Sequence, residues 1–256
     1  MNMRMCKKVI YSCCTGNYDT LLQPIVVDDS FDYICFSNDI KESMVGVWKI
    51  RPIPYKDTNK SRLSRYPKLQ PHKALPEYDY SVYMDANLQI IDKEFYDVIN
   101  HAVDDGCKIA QVPHVIPPVD CIYDELLNAY WAMKASFWQV LSMSLYLKKA
   151  GFPRHYGLYE NNIILRKHND QQVVTISNQW WRVYMKQAPR DQFSLMFVYW
   201  QNRFTPDLLF GEGVCTRNCK YIKYCKHLHE QKDFSLYTKL DLKIRRSFLP
   251  ILKFFI

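Results

Sequence analysis

The chain has 256 residues, 48% of them hydrophobic and 23% charged, with a formal net charge of +8 at pH 7. That length holds one large domain or two small ones, and that balance excludes a disordered chain or a small scaffold dependent on staples. The positive charge suits anionic partners (nucleic acid, phosphate-bearing small molecules or an anionic membrane face), but no RNA-reading aromatic signature or zinc-finger spacing is present, which argues against nucleic acid.

The opening MNMRMCKKVIYSCC has a basic start but no long apolar stretch and no small-residue cleavage site, so no signal peptide is read. No run reaches the ~18 apolar residues of a membrane span. Lys8 to Cys14 reads as a buried strand followed by a polar loop with Gly16 and Asn17. FDYICFSND repeats that order: a strand, then the polar turn Ser37-Asn38-Asp39. MVGVWKIRPIP is a third strand, closed by Pro52 and Pro54. DTNKSRLSRYPKLQPHKAL is basic and helical in pieces, with Pro67 and Pro71 as interruptions. YDYSVYMDANLQI is the fourth strand. DKEFYDVINHAVDDG is a helix that Asp92 can cap, with Phe95, Val98, Ile99 and Ala102 on one face and Gly106 at its end.

CKIAQVPH reads as another strand, and DCIYDELLNAYWAMKASFWQVLSMSLYLKKAG as one or two amphipathic helices ending at Gly151. YGLYENNIILR is strand-like with a polar interruption, and APRDQFSLMFVYWQN is a helix whose start carries Arg190, Asp191 and Gln192. Cysteines number nine, an odd count, and Cys6, Cys13, Cys35 and Cys107 lie in apolar strand-like runs. They read as small buried residues in a reducing, cytoplasmic compartment. Aromatics reach 15%, a share that serves equally a packed core or a cleft for flat or sugar-like ligands.

Strands alternate with helical patterns through the first 150 residues, which predicts a single α/β domain with a mainly parallel sheet flanked by helices. In such sheets ligands bind beyond the carboxyl ends of the strands. Thr15 to Asp19, Ser37 to Asp39 and Asp85 to Asn87 would then converge on one crevice.

Asp85 and Asn87 stand two residues apart at a strand end, so both side chains can reach one point. A carboxylate and a second oxygen donor suit a hard cation such as Mg²⁺ or Mn²⁺; an ordinary polar turn would have the same spacing. Arg62, Arg65, Lys68, His72 and Lys73 precede this strand and could face phosphates, or form a solvated basic helix. Thr15-Gly16-Asn17-Tyr18-Asp19 could receive a nucleoside, Tyr18 by stacking and Asp19 through hydroxyls. Neither a G-x-G-x-x-G nor a G-x-x-x-x-G-K-[ST] run is present.

YSCCTGNYD, DYICFSND, RYPKLQPHKALPEYDYSVYMDANLQI, CIYDE, GLYENNIILR, WW and RDQFS, in that order from Lys8 to Trp200, resemble the glycosyltransferase-like family shared by bacterial surface-polysaccharide gene clusters and plant mucilage-related proteins. The resemblance implies a GT-A fold, Rossmann-like in character, and transfer of a sugar from a nucleotide donor, most simply a UDP-sugar, in synthesis of a capsule or lipopolysaccharide. Asp85-Ala86-Asn87 matches the Asp-x-Asp place of such enzymes, with Asn87 standing where a carboxylate is usual. That implies either a weakened Mn²⁺ or Mg²⁺ site at Asp85 and Asn87 or a diphosphate neutralised by Arg and Lys. Asp191 and Glu160 are the acids implied for the reacting carbon or the acceptor hydroxyl, Gln192 joins Asp191 near the donor sugar, and a late His, His229 or His227, would complete a metal site.

The stretch from Lys239 to Ile256 carries five Lys and Arg against one Asp, mixed with Leu, Ile and Phe. It reads as a basic amphipathic tail after a domain spanning residues 1–238, suited either to an anionic membrane face or to docking on the core. The resulting expectation is a glycosyltransferase in the cytoplasm or on the membrane's cytoplasmic face, acting on a nucleotide-sugar donor and a glycan or lipid-linked glycan acceptor. A non-catalytic sugar-nucleotide or glycan-binding protein is the alternative that Asn87 favours. A nucleotidyltransferase ranks third, because CTGNYD lacks a Gly- and Lys-rich first loop.

Overall fold

The computed structural model describes residues 6–16, 18–188, 190–226 and 236–256, the side chains of 236–240 excepted. Among the described residues, ten strands follow in chain order: β1 (Lys8–Cys13), β2 (Phe31–Phe36), β3 (Met44–Val45), β4 (Trp48–Arg51), β5 (Tyr80–Met84), β6 (Leu88–Ile90), β7 (Ile109–Pro113), β8 (Tyr159–Arg166), β9 (Asp207–Leu208) and β10 (Ile222–Tyr224). The helices are α1 (Lys60–Leu69), α2 (Pro71–Ala74), α3 (Glu94–Asp104), α4 (Ile122–Trp131), α5 (Phe137–Lys149), α6 (Gln171–Lys186), α7 (Leu195–Gln201) and α8 (Leu236–Phe255).

The near-continuous apolar runs of β1, β2 and β5 are buried on both faces, as a central parallel sheet requires. Eight strands join in the order β3-β4-β2-β1-β5-β8-β7-β9. β4, β2, β1 and β5 run parallel, as do β7 and β9, whereas β3 pairs antiparallel with β4, and β8 antiparallel with both β5 and β7. Side chains alternate between two core layers. Tyr11, Phe36 and Tyr83 point to one, packed by α1 and α4 to α8; Ile10, Cys35 and Val82 point to the other, packed by α3. The mixed α/β sheet flanked by helices is the one expected from the strand–helix alternation.

Several local expectations are refined. Pro67 does not interrupt α1: it lies in the last turn, where its ring removes one backbone donor, and its carbonyl accepts a bond from the Tyr11 hydroxyl at 3.2 Å. MVGVWKIR is two short strands turned about Gly46 at φ +59°. RDQ does not start an α-helix; Asp191–Phe193 is a separate tight turn ahead of α7. α6 has no counterpart among the elements expected from the sequence. Asp170 caps it by accepting from Gln172 and Val173, and its buried face carries Val173, Ile176, Trp180, Val183 and Tyr184 at helical spacing.

The basic tail is the helix α8, seated on α4 and α5 with Leu252 wholly buried. Arg245 donates to the Tyr130 and Ala135 carbonyls at 2.8 and 2.9 Å, and Ser144 donates to the Phe255 carbonyl at 2.8 Å. Among the described residues, no helix is long and apolar enough to cross a membrane.

The topology decides what meets at one edge. Parallel pairing puts the carboxyl ends of β1, β2 and β5 together, with Cys13 opposite Phe36. Because β8 runs the other way, its first residues reach the same edge: Met84 pairs with Ile163, and Val112 with Glu160.

Candidate functional site

At that edge lies a cleft of about 880 Å³. Its walls come from the loop after β1, one face of α1, the end of β5, α4, the start of β8, the Arg190–Gln192 segment and Arg217. Helical spacing selects which basic residues of α1 enter. Lys60, Ser64 and Lys68 recur every four residues, with Ser61 and Arg65 beside them, and all five line the cleft. Arg62 does not line it and instead faces Asp57 at 3.7 Å.

Lys68 is the centre of the charge arrangement. Its side chain is 2% exposed, and its Nζ lies 2.7 Å from Asp191 and 3.6 Å from Asp85. It also stands 4.8 Å above the Tyr83 ring. Arg65 Nε lies 3.2 Å from the second oxygen of Asp191. Burial alone would raise the Asp191 pKa, but the Arg65 and Lys68 charges hold the carboxyl far below the usual carboxylate range. The Tyr83 hydroxyl donates to Asp85 at 2.6 Å, and burial next to that acid pushes the phenol well up.

Asn87 is fixed by the small ribbon of β6 and β10. Its Nδ2 donates to the Cys225 carbonyl at 2.8 Å, and Cys225 N–H returns a bond to the Asn87 carbonyl at 2.9 Å. This sets the amide orientation and leaves Asn87 Oδ1, a buried oxygen, without a hydrogen-bond partner among the described residues. A buried acceptor with no donor is costly unless something positive meets it. With Asp85 lining the same cleft, the donor set fits a hard divalent cation that takes its other ligands from phosphate and water.

Glu160, also in the wall, is fully engaged. It accepts from Thr216 N–H at 3.1 Å, Thr216 Oγ1 at 2.6 Å and Asn162 at 3.3 Å, and pairs with Arg217 at 2.7 Å. That clasp fixes Arg217, whose guanidinium also stands 4.9 Å over the Tyr224 ring. Gln192 lines the cleft and donates to the Tyr159 carbonyl at 2.6 Å. Glu125 of α4 also lines the cleft, and burial raises its pKa above the ordinary carboxylate value.

Thr15, Gly16, Tyr18 and Asp19 line the cleft next to α1. Gly16 has φ +68°, and its N–H donates to Asp39 at 2.5 Å. A Cβ there would approach the Lys60 side chain to 3.1 Å, so glycine answers both a backbone and a space demand. Ala86 and Asn87 complete the β5 end.

Of the residues expected at the donor site, Arg62, His72 and Lys73 and the turn Ser37 to Asp39 do not line the cleft. The Asn38 side chain instead accepts from Ile53 N–H at 3.0 Å, pinning the β4 exit, and burial pushes the His72 pKa down to about 4. Asn17, His227 and His229 lie outside the described residues. Sequence reasoning missed Lys60, Ser64, Tyr83, Glu125, Asn162, Arg190 and Arg217. The four-residue spacing of α1 could have found Lys60 and Ser64; Arg217 reaches the site only through the long-range clasp with Glu160.

Next to the cleft is a second cavity of about 440 Å³, sharing His114 and Val119 with it. Cys121, Asp124 and His155 cluster closely enough to share an ion, but none of them lines the main cleft.

A family model described as "TOD1/MUCI70, glycosyltransferase-like domain" matches residues 1–227. No curated protein matches the chain. Among solved structures, the apo form of WbbM, a bifunctional glycosyltransferase, is similar at 10% identity and a TM-score of 0.43, covering 96% of this chain. The chain spans 45% of that structure.

Proposed function

Because the chain belongs to the TOD1/MUCI70 glycosyltransferase-like family, we propose that its cleft transfers a sugar from a nucleoside-diphosphate sugar, a UDP-sugar in the simplest case, to a hydroxyl of a glycan or glycolipid acceptor. The observation that carries this reading is the Asp85–Lys68–Asp191 cluster, which lines one cleft at the carboxyl edge of the sheet with Asn87, whose oxygen has no hydrogen-bond partner among the described residues. It offers charges of both signs, and two oxygen donors for a cation, where a diphosphate would lie.

In this reading Tyr18 stacks on the base and Asp19 accepts from ribose hydroxyls. Arg65 and Arg190, both in the cleft wall, face the diphosphate and stabilise the leaving group. Asp85 and Asn87 Oδ1 would hold a Mn²⁺ or Mg²⁺ ion, which supplies Lewis-acid neutralisation of the departing diphosphate when bound.

The acids divide by environment. Asp191 is so stabilised as an anion that it is a poor base; it holds Lys68 and Arg65 in place and presents negative charge to the reacting carbon. Glu160 spends its oxygens on four donors and acts by positioning Arg217. Glu125, whose raised pKa brings it nearer neutrality, is the better general base for the acceptor hydroxyl. In the cell this reading fits surface-polysaccharide synthesis, of capsule or lipopolysaccharide type, on the cytoplasmic side.

Isothermal titration calorimetry with UDP-sugars tests the donor part. Binding that strengthens with Mn²⁺ or Mg²⁺ supports it, and no binding of any nucleotide sugar sinks it. Asn87 in place of a carboxylate favours a second reading, a sugar-nucleotide-binding protein without turnover; donor binding with no sugar transfer to any acceptor would select that one.

A further inference from the structure

We propose that the face formed by α5 and α8 docks on an anionic membrane surface. α8 buries one stripe on the core, through Leu249 and Leu252, and leaves a second stripe in solvent. Phe248, Ile251 and Phe254 are exposed, Phe254 to 82%. α5 adds Trp138, 73% exposed, and Leu145. The two helices make one patch: the Phe248 ring lies 5.4 Å from Phe137, which lies 5.2 Å from Trp138, and the Ser144–Phe255 bond ties the other end beside Leu145. Apolar side chains of this size seldom gather in water without a partner surface.

Charge identifies the partner. Exposed Lys148, Lys149, Lys243, Arg246 and Lys253 border the patch, and Arg246 stands 5.8 Å over the Trp131 ring. α5 has no acid, and the single acid of α8, Asp241, is neutralised by Arg245 at 2.8 Å. Apolar residues with a tryptophan at the margin and a basic rim match an interfacial helix pair pressed into anionic headgroups, not a span. A self-complementary protein interface would need acids to meet these cations.

The placement bears on the cleft. Ala132 and Lys134, in the connection between α4 and α5, line the cleft, while Trp131 and Trp138 flank that connection. A chain lying on this face brings the cleft rim to headgroup level, within reach of a lipid-linked acceptor; this consequence rests on the transferase reading, but the membrane contact itself does not.

The test is co-sedimentation of the full chain with vesicles, either phosphatidylcholine alone or mixed with phosphatidylglycerol. The full chain pellets with the anionic vesicles and stays in solution with the neutral ones. The double variant Ile251→Asp/Phe254→Asp, both positions solvent-exposed, keeps its thermal melt and loses about tenfold or more of the bound fraction. Lys243→Glu/Lys253→Glu, also well folded, weakens binding and its salt dependence together. Absence from the anionic pellet overturns the proposal. So does a dimer in solution that Ile251→Asp/Phe254→Asp dissociates, since the patch would then cover a second copy. Vesicle binding needs neither donor nor turnover, so its failure is separable from failure of the transferase reading.

Discussion

Lys68 and Asp191 form an ion pair at 2.7 Å in which both side chains are almost wholly buried. A buried pair adds little net stability over an apolar one, yet breaking it strands a charge. Asp191→Ala is therefore expected to cost about 3–5 kcal/mol in urea unfolding, and Lys68→Met/Asp191→Leu to recover most of that loss. A single variant as stable as the parent would show that the pair is not buried as described.

Asn87 supplies the second prediction. Asn87→Asp removes the Nδ2 bond to the Cys225 carbonyl and sets a carboxylate against that oxygen. Stability should fall by about 1–3 kcal/mol without metal. Mn²⁺ should restore more of the melting temperature in this variant than it adds to the parent, because a carboxylate binds the ion better than an amide. Equal Mn²⁺ shifts in both proteins would place the cation elsewhere.

Glu125→Gln should leave nucleotide-sugar affinity unchanged in calorimetry while kcat drops by about 10²–10⁴-fold. The acid limb of the parent pH–rate profile should lie above the ordinary carboxylate value, since burial raises this pKa, and activity falls as the base protonates. Full activity in Glu125→Gln would return the role of base to another acid.

His168 gives a pH prediction for stability. It is wholly buried, its Nε2 lies 2.8 Å from the Leu75 carbonyl, and desolvation holds its pKa at about 4. The unfolded chain, with a pKa of about 6.5, takes up this proton first as pH falls. Its contribution is full above about pH 6.5 and is lost as pH drops towards 4, by about 3 kcal/mol in total. Denaturant midpoints at pH 7 and pH 4.5 measure the loss, and His168→Gln should reduce it, with His72, whose pKa burial also lowers to about 4, supplying part of the remainder.

Much of this site can be read from the chain alone. Asp85, Asn87 and the loop from Thr15 to Asp19 were legible because an apolar run ending in polar residues marks the carboxyl edge of a parallel sheet. Lys68 and Arg65 were legible as basic residues, but their burial against Asp191 was not, since nothing local brings residue 191 beside residue 68. Arg62 reads like them because charge carries no phase; helical spacing turns it outward to Asp57. Glu160 reaches the cleft only because β8 reverses direction, which an expectation of parallel strands does not supply. Glu125, within CIYDE, looks like a solvated acid of an amphipathic helix until the wall it lines is known. The tail's basic amphipathic character was plain from composition, whereas its two stripes, one on the core and one in solvent, needed the packing of α5.

The proposed activity is transfer of a sugar from a nucleoside-diphosphate-sugar donor, with Asp85 holding the cation that meets the diphosphate. The most direct measurement is release of nucleoside diphosphate from a panel of nucleotide sugars, with Mn²⁺, by the parent and by Asp85→Ala of equal melting temperature. The parent should release nucleoside diphosphate from at least one donor, and the variant should lose about 10²-fold or more of that rate. Binding without release by the parent, or an Asp85→Ala protein as active as the parent, would contradict it.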